Sequence, residues 1–306
     1  MSSMDWDDLK IFTAIAHHGS VRAAARWLGV HHSTVARRLE HFEKQLGAVM
    51  FNRTPDGLKL SADGQLVLAQ AEQVEGQIDE IERALVGRDQ RLQGHVRVTF
   101  PEPVGTGFLM RDLGRFIETY PDISLDFIGS YEPLSLTRGE ADVAVRVTDA
   151  PPEHLVGRRI GRYAVAAYAS IEYLTKHDPV SNPADCNWID WTLARSISET
   201  VRAESFPDIA SRIRSPHAPL QMAAIEAGVG IGALPCALGD ANPVLQRLSG
   251  PVVAQEIWLL THPDLRNAAR VRAVMNCIAE SFRRHEDLLL GRTQWTSNAQ
   301  RELMHA

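Results

Sequence analysis

Gly19, Gly29 and Gly47 each close a run of helical apolar spacing, and so confine the first 47 residues to three short helices joined by tight turns. The first run, Asp5 to His18, places Trp6, Leu9, Phe12, Ile15 and Ala16 on one stripe. Ala23, Ala24, Ala25, Trp27 and Leu28 make a second helix that Ser20 can cap. Val30, His31 and His32 form a turn. Ser33 is the expected cap of a third helix through Val35, Leu39, Phe42 and Leu46. Phe51 to Leu60 reads as two short strands around Pro55-Asp56-Gly57. Three helices and a hairpin compose a winged helix-turn-helix.

Charge says what such a unit faces. Residues 22–59 hold seven basic side chains (Arg22, Arg26, Arg37, Arg38, Lys44, Arg53 and Lys59) against Glu40, Glu43 and Asp56, a net of +4. Residues 63–89 hold seven acidic side chains against Arg83 and Arg88, a net of −5. The first stretch can meet a polyanion while the second stands off from it. A helix entering the major groove needs short polar or cationic side chains on its N-terminal turns. Residues 31–40 read HHSTVARRLE, with Thr34, Arg37 and Arg38 an i, i+3, i+4 set. Arginine reads guanine bidentately or grips phosphate; serine and threonine reach phosphate or a thymine methyl. The alternative is a solvated helix face, which the tight turn and basic wing disfavour.

The acidic stretch carries a second pattern. Val67, Ala71, Val74, Ile78, Ile81 and Leu85 are spaced 4-3-4-3-4, the ~3.5-residue period of a coiled coil. This seam predicts a dimerising helix; the alternative is a helix packed on its own domain. From His95 strands alternate with helices. Strands are expected at Val96–Phe100, Ile123–Phe127, Ala141–Val147, Tyr163–Ala169, Arg212–Ser215 and Ile257–Thr261, and a helix runs through Leu109, Leu113, Phe116 and Ile117. That alternation predicts an α/β unit with mostly parallel sheets, large enough for two sub-domains.

Composition excludes several classes. With 306 residues, 44% hydrophobic and 23% charged, the chain is globular and exceeds one ordinary domain. Cys186, Cys236 and Cys277 lie far apart, so neither a disulfide framework nor a zinc ribbon is expected. The opening MSSMDWDD is acidic where a signal peptide is basic, and no apolar run approaches the ~18 residues that span a bilayer. A cytoplasmic chain without membrane association is expected. Catalytic motifs are missing: no GxSxG, HExxH or P-loop occurs. Gly228, Gly230 and Gly232 give GxGxG rather than GxGxxG, which close helix-on-strand packing explains better than a nucleotide loop. No metal ligand set, cofactor or catalytic residue is expected.

These residues also resemble a known family. GSVRAAARWLGV (19–30), STVARRLEHFEKQLG (33–47), MFNRT (50–54) and LKLSADG (58–64) are similar to the N-terminal domain of LysR-type transcriptional regulators. The likeness runs on through YPDI (120–123), GEADVAVR (139–146), AIEAGVGIGALP (224–235) and WLLTHPDLRNAARVRAV (258–274), to about residue 285. The resemblance implies a multidomain α+β chain. It would comprise a DNA-binding domain over 4–61, a dimerising linker helix over 62–89, a hinge over 90–94, a two-lobed effector-binding domain over 95–290 like periplasmic binding proteins, and a polar tail over 291–306. Lobe I would take 95–161 and 262–290, and lobe II 162–261. The partners implied are an interrupted palindromic DNA operator, a small-molecule effector between the lobes, a second copy of the chain in a dimer or tetramer, and RNA polymerase for an activator.

On that reading the DNA-binding residues are Ser20, Arg22, His31, His32, Ser33, Thr34, Arg37, Arg38, Arg53 and Thr54. The chain departs from the family at Ala36, often serine, and at His31-His32, commonly a polar Ser/Gln pair; protonated histidines there would make DNA binding depend on pH. Effector candidates begin with the turn Glu102, Pro103, Val104 and Thr106 after the first strand. Relatives usually place Ser or Thr there, so Glu102 either fills the anion site itself or selects a cationic or polyol ligand. Ser130 and Tyr131 follow the second strand, Arg146 ends a buried one, and Ser196 and Glu199 come from lobe II. Arg146 would either grip an anion and pair with Glu102 when the cleft is empty, or serve as a structural ion-pair partner. The competing function classes are an enzyme on a doubly wound α/β fold with an accessory helical domain, and a solute-binding protein.

Overall fold

A computed structural model describes residues 5–54, 57–130, 134–137 and 139–292. The chain divides into two compact units, Met1–Arg83 and Ala84–Ala306. The polar tail expected over 291–306 falls almost wholly outside the described residues.

In the first unit α1 (Trp6–His18), α2 (Val21–Leu28) and α3 (His32–Leu46) precede a hairpin of β1 (Phe51–Thr54) and β2 (Gly57–Leu60). Gly19, Gly29 and Gly47 end the helices at φ of 70°, 67° and 66°, the left-handed conformation that side chains disfavour. Ser20 Oγ caps α2 by accepting from Ala23 N at 3.2 Å. The cap of α3 is not Ser33 but His31, whose Nδ1 accepts from Ser33 N at 3.4 Å. Helix α3 begins at His32, so Ser33 lies inside its first turn and His31, extended at φ −73° and ψ 141°, is the flanking residue. Phe12, fully buried, stacks on Phe42 at 5.6 Å and tilts against Phe51 at 5.4 Å, fastening α1 and α3 to the hairpin. Such a side chain contributes about 1.5–3 kcal/mol.

Helix α4 (Ala62–Gly87) follows, and Ser61 Oγ accepts from Gly64 N at its start. Its apolar seam divides. Ala71 is 1% exposed and lies in the first unit's core with Val67 beside it, whereas Val74, Ile81 and Leu85 are exposed and Ile78 is half-buried. The seam is therefore internal packing at its head and an uncovered stripe only further along. The stretch expected as a hinge is fastened to the second unit: Asp89 O accepts from Ala269 N, the Asp89 carboxylate pairs with Arg270 at 3.1 Å, and Gln90 donates to Asn267 O at 3.1 Å. The division between the two compact units falls at Arg83–Ala84, within α4.

The second unit opens with β3 (Gly94–Phe100), α5 (Glu102–Val104), a π-helical turn Gly105–Leu109, α6 (Met110–Thr119), β4 (Ile123–Gly129) and β5 (Val143–Val147). The long strand β6 (Val156–Ser170) leads to α7 (Ile171–Leu174), β7 (Trp188–Trp191), α8 (Arg195–Ser205), β8 (Ser211–Ser215), α9 (Ala218–Glu226), β9 (Ile231–Pro235), α10 (Cys236–Gly239) and β10 (Leu245–Arg247). The second long strand β11 (Val252–Thr261) returns to α11 (Ala269–Arg284) and α12 (Glu286–Leu289).

Parallel pairing holds only inside each half: β3 with β4 and β5, and β7 with β8 and β9. The long strands β6 and β11 are antiparallel to each other and to the neighbours they meet, so the expectation of mostly parallel sheets is corrected. β11 pairs with β5 through Ile257–Thr261 and with β6 along its length; β6 pairs with β9 through Val165–Tyr168. These two strands thus join the halves. Along β6, Ala164, Ala166 and Tyr168 enter one core and Val165, Ala167 and Ala169 another, which is why residues 163–169 carry no charged side chain. Gly232 on β9 has its missing Cβ site 2.9 Å from Gln221 Nε2 and Ile225 Cδ1 of α9, so the GxGxG run serves helix-on-strand contact.

Candidate DNA interface and effector cleft

The first unit presents its basic residues unevenly. Arg22, Arg26 and Arg37 are exposed and carry no hydrogen bond or ion pair among the described residues. Arg38 is committed elsewhere: its guanidinium lies 3.4, 3.3 and 3.3 Å from Asp5, Asp7 and Asp8, clamping α3 to the start of α1. The residue expected to contact DNA is thus held by ion pairs to the start of α1, on a half-buried side of α3. Ser33 is exposed, with Oγ 2.8 Å from His31 Nδ1, and Thr34 is half-buried. The rings of His31 and His32 lie 4.2 Å apart. Together with Arg22, Arg26 and Val30 they border a concavity of about 520 Å³. Arg26 was not singled out from the sequence, although its place one turn after Arg22 was a usable signal. Ser20 spends its hydroxyl on the helix cap, and Thr54 Oγ1 donates to Gly57 O at 3.0 Å to close the wing turn. Arg53 stands opposite Leu58 in that hairpin.

In the second unit a cavity of about 550 Å³ lies where the two halves meet. Pro101 after β3, Val147 of β5, Trp191 of β7 and Pro235 of β9 all line it, so the carboxyl ends of four strands converge there, the usual ligand position in open α/β sheets. The joining strands supply Arg162, Tyr163, Val253 and Ile257. Burial, and next the charge of Asp149, push the Tyr163 phenol up to about 12, which keeps it an O–H donor at neutral pH.

Of the residues expected to bind effector, Pro103, Val104 and Ser196 line this cavity; Glu102, Thr106, Ser130, Arg146 and Glu199 do not, and Tyr131 lies outside the described residues. Thr106 Oγ1 donates to Glu102 O at 3.1 Å, within its own helical turn. Glu102 does not pair with Arg146. Its carboxylate lies 3.9 Å from His217 Nδ1, ahead of α9 in the other half. Arg146 donates to Thr99 Oγ1 at 3.3 Å, has no carboxylate partner among the described residues, and leaves Nη2 buried without a hydrogen bond. Burial lowers its pKa. The structural ion pair expected of Arg146 is not formed among the described residues; residues 144 and 146 face the side of the sheet opposite the core built by Val143 and Val145. Sequence reading missed Arg162, Tyr163 and Trp191, whose shared surroundings exist only once the joining strands are in place.

Among the described residues no helix is long and apolar enough to cross a membrane. A fold of this kind beside a winged helix-turn-helix defines a class, and comparison with known proteins agrees. Residues 6–65 match the bacterial regulatory helix-turn-helix protein, lysR family, and residues 89–283 match the LysR substrate binding domain. Over 291 residues the chain is 26% identical to the mau operon transcriptional activator of Paracoccus denitrificans, covering 91% of this chain and 97% of that protein. A shorter match, 179 residues at 32% identity, is to an HTH-type transcriptional regulator of Xanthomonas campestris pv. campestris and spans 58% of this chain and 52% of that protein. The full-length Vibrio cholerae virulence activator AphB shares the fold, with a TM-score of 0.62 at 19% identity over 90% of this chain and 99% of that one. The chain belongs to the LysR family of bacterial transcriptional regulators, joining a DNA-binding helix-turn-helix domain to an effector-binding domain.

Proposed function

We propose that the chain reads an interrupted palindromic operator as a dimer or tetramer in the cytoplasm, and that a small molecule in the interlobe cavity modulates it. It acts as a regulator and not as an enzyme. Lobe I comprises 95–161 and 262–290, and lobe II 162–261. The observation that carries the DNA reading is the exposed, unpartnered Arg37 on α3, flanked by Arg22, Arg26, His31 and His32. In this reading Arg37 and Thr34 contact base edges, while Arg22, Arg26, Arg53 and the histidines contact phosphate. The stripe of exposed Val74, Ile81 and Leu85 with half-buried Ile78 supports pairing of two copies through α4, and contact with RNA polymerase accompanies activation.

The test is binding of genomic fragments recovered by the protein, compared with random duplex of equal length across a salt series. Preference for the recovered fragments, with affinity falling steeply as salt rises, is the expected result. Equal affinity for both would refute sequence-specific reading.

A further inference from the structure

The cavity between the halves is not chemically uniform. Its walls are Phe108, Tyr163, Trp191, Ile197, Val253 and Ile257, so a ligand there exchanges water for aromatic and aliphatic surface. A second hollow of about 480 Å³ borders it, with Arg162, Val253 and Leu289 lining both. That neighbour is bordered by Arg159, Arg162, Arg283 and Arg292, with Glu286 the acidic residue among them.

The four arginines are not equivalent. Arg159 pairs with Glu256 at 2.9 Å, Arg283 with Glu280 at 3.0 Å and Arg292 with Asp287 at 3.6 Å. Arg162, which stands at the junction of the two hollows, has no such partner among the described residues. The carboxylate on the apolar side, Asp149, already accepts from Glu256 N at 3.1 Å. Glu102 lies off the cavity, so the residue that seemed to argue against an anion does not face this ligand.

We infer that the effector is an amphipathic anion, with an apolar, ring-sized body in the chamber and one anionic group on Arg162 at its mouth. The inference rests on reading the interlobe cavity as the effector site. A small dicarboxylate would bring a second charge against apolar walls, where burial without a partner is costly. An amine would meet a border of arginines. A guanidinium presents two parallel N–H donors to a carboxylate, phosphate or sulfonate, and no competing ion pair needs breaking first.

The experiment is calorimetric titration of the full chain with 4-phenylbutyrate, 4-phenylbutan-1-ol, 4-phenylbutylamine and glutarate. The expected order is phenylbutyrate tightest, the alcohol weaker, and the amine and glutarate weakest. Arg162→Met should weaken phenylbutyrate at least about tenfold and leave the alcohol within about twofold. Arg162→Lys should fall between, and Ser196→Trp, at an exposed position, should fill the chamber and weaken both. Glutarate or the amine binding as tightly as phenylbutyrate, an unchanged phenylbutyrate affinity in Arg162→Met, or no binding by any probe overturns the inference. Operator binding measured on the same preparations separates the two readings. Retained operator preference with a failed probe order sinks only the effector class, whereas lost operator preference in the wild type sinks the proposed function.

Discussion

Arg37 and Arg38 do different work because a helix turns about 100° per residue. Arg38 faces three carboxylates at the start of α1, the capping Asp5 with Asp7 and Asp8, of which Asp8 is buried at 3% exposure. Arg38→Ala should therefore lower the stability of the first unit by about 1–3 kcal/mol, seen in urea unfolding, by leaving Asp8 short of a charged partner. Arg37→Ala should leave unfolding unchanged and weaken operator binding, by about 1–3 kcal/mol at one base position if Arg37 reads a base. Interchanged outcomes would reverse these roles. A second residue follows the same logic of burial. The fully buried Cys236 thiol is pushed up to about 11, chiefly by desolvation. Cys236 should resist iodoacetamide in the native chain at pH 8 and react once the chain is unfolded; rapid native labelling at Cys236 would contradict its burial.

The linker helix α4 shows how one period serves two purposes at the scale of an element. Ala71 is inside the first unit, so Ala71→Asp should unfold it. Ile81 is 62% exposed and Ile78 half-buried, so Ile78→Asp with Ile81→Asp should leave that unit folded while sedimentation shows smaller assemblies. An intact assembly in the double variant would place the interface elsewhere. The connection into β3 has its own electrostatic fastening. The hydrogen bonds from Arg91 come first, and the nearby charges of Arg91 and Arg270 reinforce them, holding the Asp89 carboxyl well below its usual range. A depressed carboxyl stabilises the fold above its unfolded pKa, and that contribution disappears as pH falls toward the folded value. Melting temperature should drop as pH is lowered below about 4, and Asp89→Asn should flatten the drop. An identical pH profile in the variant would remove Asp89 from the account.

At the scale of the whole molecule, a chain of net charge −6 engages a polyanion through a local net of +4 in residues 22–59. Affinity should therefore be strongly salt-dependent despite the overall sign. Arg22→Ala and Arg26→Ala should each reduce the slope of log K against log salt by about one. Unchanged slopes would remove both from the phosphate contacts. Much of this organisation was legible in the residues. Glycine stops mark the ends of α1, α2 and α3, the heptad spacing marks α4, and the alternation after His95 marks the α/β unit, because backbone conformation and amphipathic period are written within one or two turns of chain. The tertiary structure alone decided the rest. It turned Arg38 onto α1, made His31 the cap, covered the head of the seam and left its far part bare. It also set Glu102 opposite His217 rather than Arg146. The cavity draws on segments as far apart as Pro101, Arg162, Trp191 and Val253, brought together by two strands whose antiparallel pairing no local pattern announces. A side chain's partner depends on which residues approach from across a sheet or a neighbouring helix, and that distance in sequence lies beyond the reach of any periodicity.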